Sequence, residues 1–300
     1  QGPGQGHWSY KDWQEWNLHY PDCGGMMQSP ININTAKTIF SPQLRPIQLS
    51  GYSLPSKERL KLKNNGHTVV LKLPESLAIT GGYAQQYRAV QLHLHWGSLT
   101  GPGSEHTINN HRFPAEVGPR ENPYYRQILE HLYTIQGEGE EVLVPGFNIA
   151  GLLPANLNLY FHYNGSLTTP ACYQTVKWTI FNQTVQLSQD QISVLVTTLR
   201  GDDDSPLQNN FRRLQELHGR HVLASFQTAL TSVKQLPPGD HPHCNVPVLG
   251  SLAGDVLAVL FGVLFAVTAL AFLLYIHKHR NQNARLDSPT KSKVIYTAAT

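Results

Sequence analysis

His93 and His95 sit two apart in the stretch Val-Gln-Leu-His-Leu-His-Trp-Gly-Ser, residues 90–98. On a strand, positions i and i+2 project to the same face. An alternation of this kind therefore turns both imidazoles to one side of a sheet, where their nitrogens can share a metal ion. Catalytic zinc usually takes three protein ligands and keeps its fourth position for water. The pair needs a third donor from elsewhere in the chain.

The elements that would hold such a pair are short strands. Residues 60–62, 68–73, 89–95, 177–181 and 221–226 read as strands, separated by turn residues at Asn64-Asn65-Gly66, Gly81-Gly82 and Gly101-Pro102-Gly103. Two stretches read as helices. Residues 123–133 follow Asn122 as N-cap, and 188–199 open on Ser188 with apolar residues at 192, 195, 196 and 199. There are no internal repeats.

Composition narrows the function. The chain has 300 residues, 40% of them hydrophobic, which suffices for one large core. A net charge of +3, no P-loop, no Gly-x-Gly-x-x-Gly and no basic run with interleaved aromatics argue against nucleic-acid and nucleotide binding. The sequence begins at Gln1 without a Met or an apolar leader, as expected of a mature form whose signal peptide has been removed.

Residues 256–276 carry no charge over 21 positions, enough for about 30 Å of helix, and are followed by His-Lys-His-Arg at 277–280. The expectation is a single-pass type I plasma-membrane protein. Residues 1–235 form the extracellular domain, 236–253 a Pro-rich stalk, 254–276 the transmembrane helix and 277–300 a cytoplasmic tail. Three cysteines suit an oxidising compartment: Cys23 and Cys172 inside the large domain, Cys244 in the stalk. An odd stalk cysteine suggests a bond to a second copy. Gly254, Ala258, Gly262 and Ala266 recur every four residues and would let two membrane helices approach, giving a homodimer. Asn164 and Asn182 open glycosylation sequons.

Six motifs in order carry a family resemblance. They are His7-Trp8-Ser9-Tyr10, Gln28-Ser29-Pro30-Ile31-Asn32-Ile33, Asn65-Gly66-His67-Thr68, Gln91-Leu92-His93-Leu94-His95-Trp96-Gly97, Gly103-Ser104-Glu105-His106-Thr107 and Gly165-Ser166-Leu167-Thr168-Thr169-Pro170. Over about residues 5–230 the chain resembles an α-type carbonic anhydrase, in a membrane-anchored extracellular form. The resemblance implies a mixed α/β but predominantly β fold, with a large, twisted, mostly antiparallel central sheet and short peripheral helices. It implies Zn2+ and the reversible hydration of CO2 to bicarbonate; carbonic anhydrases are the standard example of zinc-bound water with a near-neutral pKa. His93 and His95 are implied as zinc ligands, and Gln91 and Glu116 as partners that orient ligands. Thr168 is implied to orient the hydroxide through Glu105, His67 to carry the proton out, and Tyr10 to order the water chain. Thr169 is implied to touch bicarbonate, and Leu167, Val176 and Trp178 to form the CO2 wall. The membrane-anchored forms also imply a Cys23–Cys172 disulfide.

The resemblance breaks at the third ligand. The family strand reads Ala-Glu-Val-His-x-Val-His, whereas this chain runs Ala115-Glu116-Val117 and then Gly118-Pro119-Arg120-Glu121-Asn122-Pro123. Gly118 stands where the third zinc histidine belongs. The hydrophobic strand that follows in the family is absent too, and the pattern resumes at Asn122. This is a block loss rather than scattered drift. The expected sheet therefore lacks central strands, since Pro119 and Pro123 cannot extend one, and the strand bearing His93 and His95 loses a neighbour. The resemblance places His131 on a helix outside the sheet and His111 in a loop, so neither is expected to replace the lost ligand. Ala171 is a smaller departure, where the family usually has a second Pro. An impaired enzyme and a non-catalytic carbonic-anhydrase-like ectodomain, with a binding role or none, are the two readings left by the sequence.

Overall fold

The computed structural model describes residues 8–114, 116–228 and 295–298. It is mostly β, with mixed sheets and few short helices. Strands β1 (Ile39–Phe40), β2 (Arg59–Asn64), β3 (Val69–Lys72), β4 (Gln91–His93), β5 (Glu116–Val117), β6 (Glu141–Pro145), β7 (Tyr160–Gly165), β8 (Val176–Phe181), β9 (Gln186–Leu187), β10 (Leu223–Ala224) and β11 (Ile295–Ala298) carry the account below. The helices are α1 (Trp16–His19), α2 (Pro123–Leu129) and α3 (Gln189–Thr198).

The sequence leads one to expect a single large central sheet. The described strands instead form two principal sheets, a four-stranded one in the order β6-β2-β3-β4 and a five-stranded one in the order β11-β8-β7-β10-β1. The first is antiparallel throughout. The second is mixed: β7 pairs antiparallel with β8 and β10, while β10–β1 and β8–β11 are parallel. The reason for the split lies at the junction. Glu116 and Val117, which would open the third-ligand strand, pair in parallel with Gln186 and Leu187 of β9, away from both sheets. Among the described strands, β4 is left with β3 as its only neighbour.

Packing follows residue alternation. In β2, Leu60, Leu62 and Asn64 are buried while Arg59, Lys61 and Lys63 face water. The leucines join Leu71 and Val144 against Ile128, Leu129 and Leu132 from the α2 region and Leu195, Val196 and Leu199 from the α3 region. A second core holds Ile31, Ile33, Phe161, Tyr163, Val176, Trp178 and Ile180.

Both expected helices form, with the expected caps. The Asn122 carboxamide oxygen accepts from Tyr124 N, and Ser188 makes a capping box with Gln191. α2 is shorter than 123–133, because Leu132–Thr134 tightens into a 3-10 turn that buries Leu132 and leaves Tyr133 exposed. Cys23 and Cys172 are bonded, closing a separation of 149 residues.

The segment 254–276, the stalk and Cys244 lie outside the described residues, as do Gly254, Ala258, Gly262 and Ala266. Among the described residues no helix is long and apolar enough to cross a membrane. Ile295–Ala298, which the sequence assigns to the tail beyond the membrane segment, form the outer strand beside β8. A chain crossing a bilayer once at 256–276 holds these residues and β8 on opposite sides, so the pairing and the single span exclude each other within one molecule.

A two-histidine candidate metal site at an open sheet edge

β4 and the two residues after it present the histidine pair. The rings of His93 and His95 lie 4.9 Å apart between centroids. The His93 Nδ1–H donates to Gln91 Oε1 at 3.2 Å, and the His95 Nδ1–H donates to the Asn210 carbonyl at 2.6 Å. Each ring therefore keeps its Nε2 lone pair, the form that binds metal. Burial, helped by neighbouring His95, holds the His93 pKa down at about 3, so its imidazole is neutral near pH 7.

The donor set stops there. Among the described residues, no group of three His, Cys, Asp or Glu side chains is placed to hold a metal ion. Gly118, at the third-ligand position, donates its N–H to Leu187 O at 2.8 Å. A Cβ built on it would meet Gln186 Cβ at 3.2 Å, so this position is committed to β9. His131 meets the Glu130 carboxylate at 3.6 Å, and His111 packs edge-on against Phe113 at 4.7 Å between centroids. Two imidazoles do not make the three-ligand zinc centre of a catalytic site.

Glu105 is 7% exposed and turned toward the pair. Its Oε1 accepts from Arg212 N at 3.2 Å, and its Oε2 lies 3.4 Å from His95 Nε2. Thr168 is buried, yet among the described residues its side chain makes no hydrogen bond to Glu105. The implied Thr168–Glu105 hydrogen bond is not present among the described residues, and the carboxylate faces His95 Nε2 instead. Glu116 joins β9 through its backbone, in register with Gln186.

His67 sits in an Asx turn, with Asn65 Oδ1 accepting from His67 N and Thr68 N at 3.0 and 2.9 Å. Its ring stacks on Trp8 at 3.8 Å, with Tyr10 edge-on at 6.5 Å. Burial and the nearby Glu105 charge raise the Tyr10 pKa, keeping the phenol protonated. A cavity of about 310 Å³ contains His93, His95, Glu105 and Trp178 in its lining. Thr168, Thr169, Leu167, Val176, His67 and Tyr10 are not part of that lining. Val176 and Trp178, with Leu167 against them, belong to the second core, and Trp178 Nε1–H donates to Ser166 O at 3.0 Å.

Asn210 is the residue that sequence reasoning missed. Its Oδ1 accepts from Trp96 N at 2.7 Å, its Nδ2 donates to His67 O at 3.1 Å and Leu94 O at 3.3 Å, and its carbonyl holds His95. One fully buried side chain thereby ties the His67 turn to the end of β4. Nothing in the run Gln208-Asn209-Asn210 distinguishes it, because its partners lie more than a hundred residues away. Replacing Asn210 with Leu strands Trp96 N and His67 O, each costing about 1–3 kcal/mol, while Leu94 O keeps the Thr68 hydroxyl as donor. The Asn210→Leu chain is expected to unfold about 3 kcal/mol more easily in urea with an unchanged m-value; a loss below about 1 kcal/mol would contradict the assignment.

A family model described as eukaryotic-type carbonic anhydrase matches residues 11–118 and 116–226, in two pieces that meet at the junction where the sheet divides. Carbonic anhydrase 12 of Homo sapiens is 39% identical over 248 residues, covering 70% of this chain and 70% of that protein. Carbonic anhydrase 6 of Bos taurus is 35% identical over 260 residues, covering 74% of this chain and 81% of that protein. Receptor-type tyrosine-protein phosphatase zeta of Rattus norvegicus is 29% identical over 263 residues, which are 73% of this chain and 11% of that protein.

Proposed function

Because this chain belongs to the eukaryotic-type carbonic anhydrase family, we propose that it derives from enzymes of reversible CO2 hydration and that its own catalysis of that reaction is strongly impaired. The observation that carries the proposal is the donor count: His93 and His95 stand without a third ligand among the described residues. Two imidazoles hold zinc less tightly than three and leave its geometry open. The position of Glu105 supports the same reading. Its carboxylate lies against His95 Nε2 rather than bonded to Thr168, so the hydrogen-bond relay that the family reading assigns to Thr168 and Glu105 is not assembled. His67 and Tyr10 keep the proton-export role proposed for them, and Thr169, Leu167, Val176 and Trp178 that of a substrate wall. Trp178 alone of these four lines the cavity that holds the histidine pair.

The second reading, a non-catalytic domain of this fold that binds partners, is favoured by the match to a segment amounting to 11% of a receptor-type phosphatase. Domains of this kind thus also occur inside chains named for a different activity.

The 21 uncharged residues at 256–276 support anchoring in the plasma membrane with the domain outside, and Cys244 with the small-residue face supports a homodimer. Asn164 and Asn182 are both exposed and available to carry glycans. Stopped-flow CO2 hydration by the zinc-supplemented chain tests the impairment. The expected rate is that of a His93→Ala chain.

A further inference from the structure

The outer edge of β8 has no partner from residues 8–228, yet it is paired. Ile295–Ala298 lie along it in parallel, with Lys177, Trp178, Thr179 and Ile180 opposite Ile295, Tyr296, Thr297 and Ala298. The edge therefore accepts an extended segment that arrives from far along the chain. Beside it lies the cavity of about 310 Å³, whose apolar lining includes Leu92, Leu94, Phe181, Leu187 and Ile192.

One polar group in that lining lacks a partner. His106 is 1% exposed and its Nδ1 makes no hydrogen bond. Its Nε2 lies 2.6 Å from the Tyr163 hydroxyl, which itself donates to Ser29, so Nε2 carries the proton and Nδ1 presents a lone pair. Burial first, then neighbouring positive groups, lowers the His106 pKa to about 3, which keeps the ring neutral. A buried acceptor without a donor is costly. The ring centroid is 4.7 Å from that of Trp178, at the middle of the paired edge.

If 256–276 spans a membrane, as proposed above, the chain's own tail cannot reach this edge, which is then open on the side where the domain lies. We propose that the outer edge of β8 is a strand-acceptor site for another polypeptide, taking an extended, uncharged segment rich in β-branched residues in parallel register. The chemistry of the occupant is read from the segment seated there, Ile-Tyr-Thr-Ala at 295–298. Main-chain hydrogen bonds supply affinity, as in β-augmentation generally, and alternate side chains choose the partner. A donor group on the cavity side would satisfy His106 Nδ1.

The test uses the full chain in sealed vesicles, domain outward, carrying Lys177→Cys and Cys244→Ser. Lys177 lies opposite Ile295 and outside the histidine site. The probe is a synthetic peptide of residues 291–300 carrying Ile295→Cys, with a Tyr296→Cys peptide as the control whose thiol points to the other face. The expected result is disulfide cross-linking at least tenfold faster with the first peptide. On the unsubstituted chain, the unsubstituted peptide should slow amide exchange at 177–180. Equal cross-linking with both peptides, or none with slowed exchange also absent, overturns the proposal. So does a Lys177→Cys homodimer that excludes peptide, since the edges then pair with each other. Protease protection of the tail in the same vesicles reads the membrane span separately. An intrachain bond in a Lys177→Cys, Ile295→Cys chain would put the tail on the domain's side and overturn the occupant proposed here.

Discussion

Inserting the family's lost segment between Val117 and Asn122 is expected to raise CO2 hydration by several orders of magnitude, whereas Gly118→His alone leaves it at the His93→Ala level. The difference follows from what aims a ligand. A histidine at 118 in the present fold starts from a backbone whose N–H is bonded to Leu187 O, with its Cβ against Gln186. The strand it extends belongs to β9 and not to β4. Supplying the donor atom without that strand gives the right residue type in the wrong place, and a misplacement of even about 1 Å can cost roughly a hundredfold in rate. The whole segment instead gives β4 a neighbour and fills the apolar cavity between β4 and β8. Stopped-flow rates on the three chains decide the matter. Recovery by Gly118→His alone would show that the junction already lies against the histidine pair, contrary to its pairing with β9.

Replacing Cys23 and Cys172 together with Ser is expected to lower stability by about 5 kcal/mol, from the chain entropy released by opening a loop of 149 residues. Domains of this size are stable by only about 5–15 kcal/mol, so the loss is a large fraction of the whole. The bridge also anchors a polar network. The Cys23 carbonyl accepts from Arg212 Nη2 at 3.0 Å and the Cys172 carbonyl from Gln28 Nε2 at 3.2 Å. Arg212 Nη1 donates to Gln28 Oε1 and Ser29 O, and its backbone N–H holds Glu105. Loosening the bridge therefore reaches the carboxylate beside His95. Guanidinium unfolding of the oxidised parent and the double variant measures the effect. A difference under about 1 kcal/mol would contradict the entropic account.

The parts of this structure legible in the sequence are the local ones. Ser188 with Gln191 three residues on announces the start of α3, and Asn122 before Pro123 that of α2. The alternation at 59–64 announces β2 and its buried face. The histidine pair and the break at Gly118 are legible because a motif of fixed spacing is either complete or interrupted. What was not legible depends on partners remote in sequence. Asn210 bonds to groups at 67, 94, 95 and 96. The parting of one expected sheet into two follows from where 116–117 find a backbone partner, and the strand at 295–298 from an edge left vacant nearly 120 residues earlier. An open edge recruits an available extended segment because main-chain hydrogen bonds supply much of the attraction, while alternate side chains select among candidates.

The most direct measurement is stopped-flow CO2 hydration by the unaltered chain, purified and supplied with excess zinc, beside a His93→Ala chain prepared identically. With His93 and His95 the only such donors grouped among the described residues, the two rates should coincide within error, and sulfonamide should change neither. A rate well above the His93→Ala chain that sulfonamide suppresses would mean that a third ligand completes the site, and would contradict the donor count on which the proposed impairment rests.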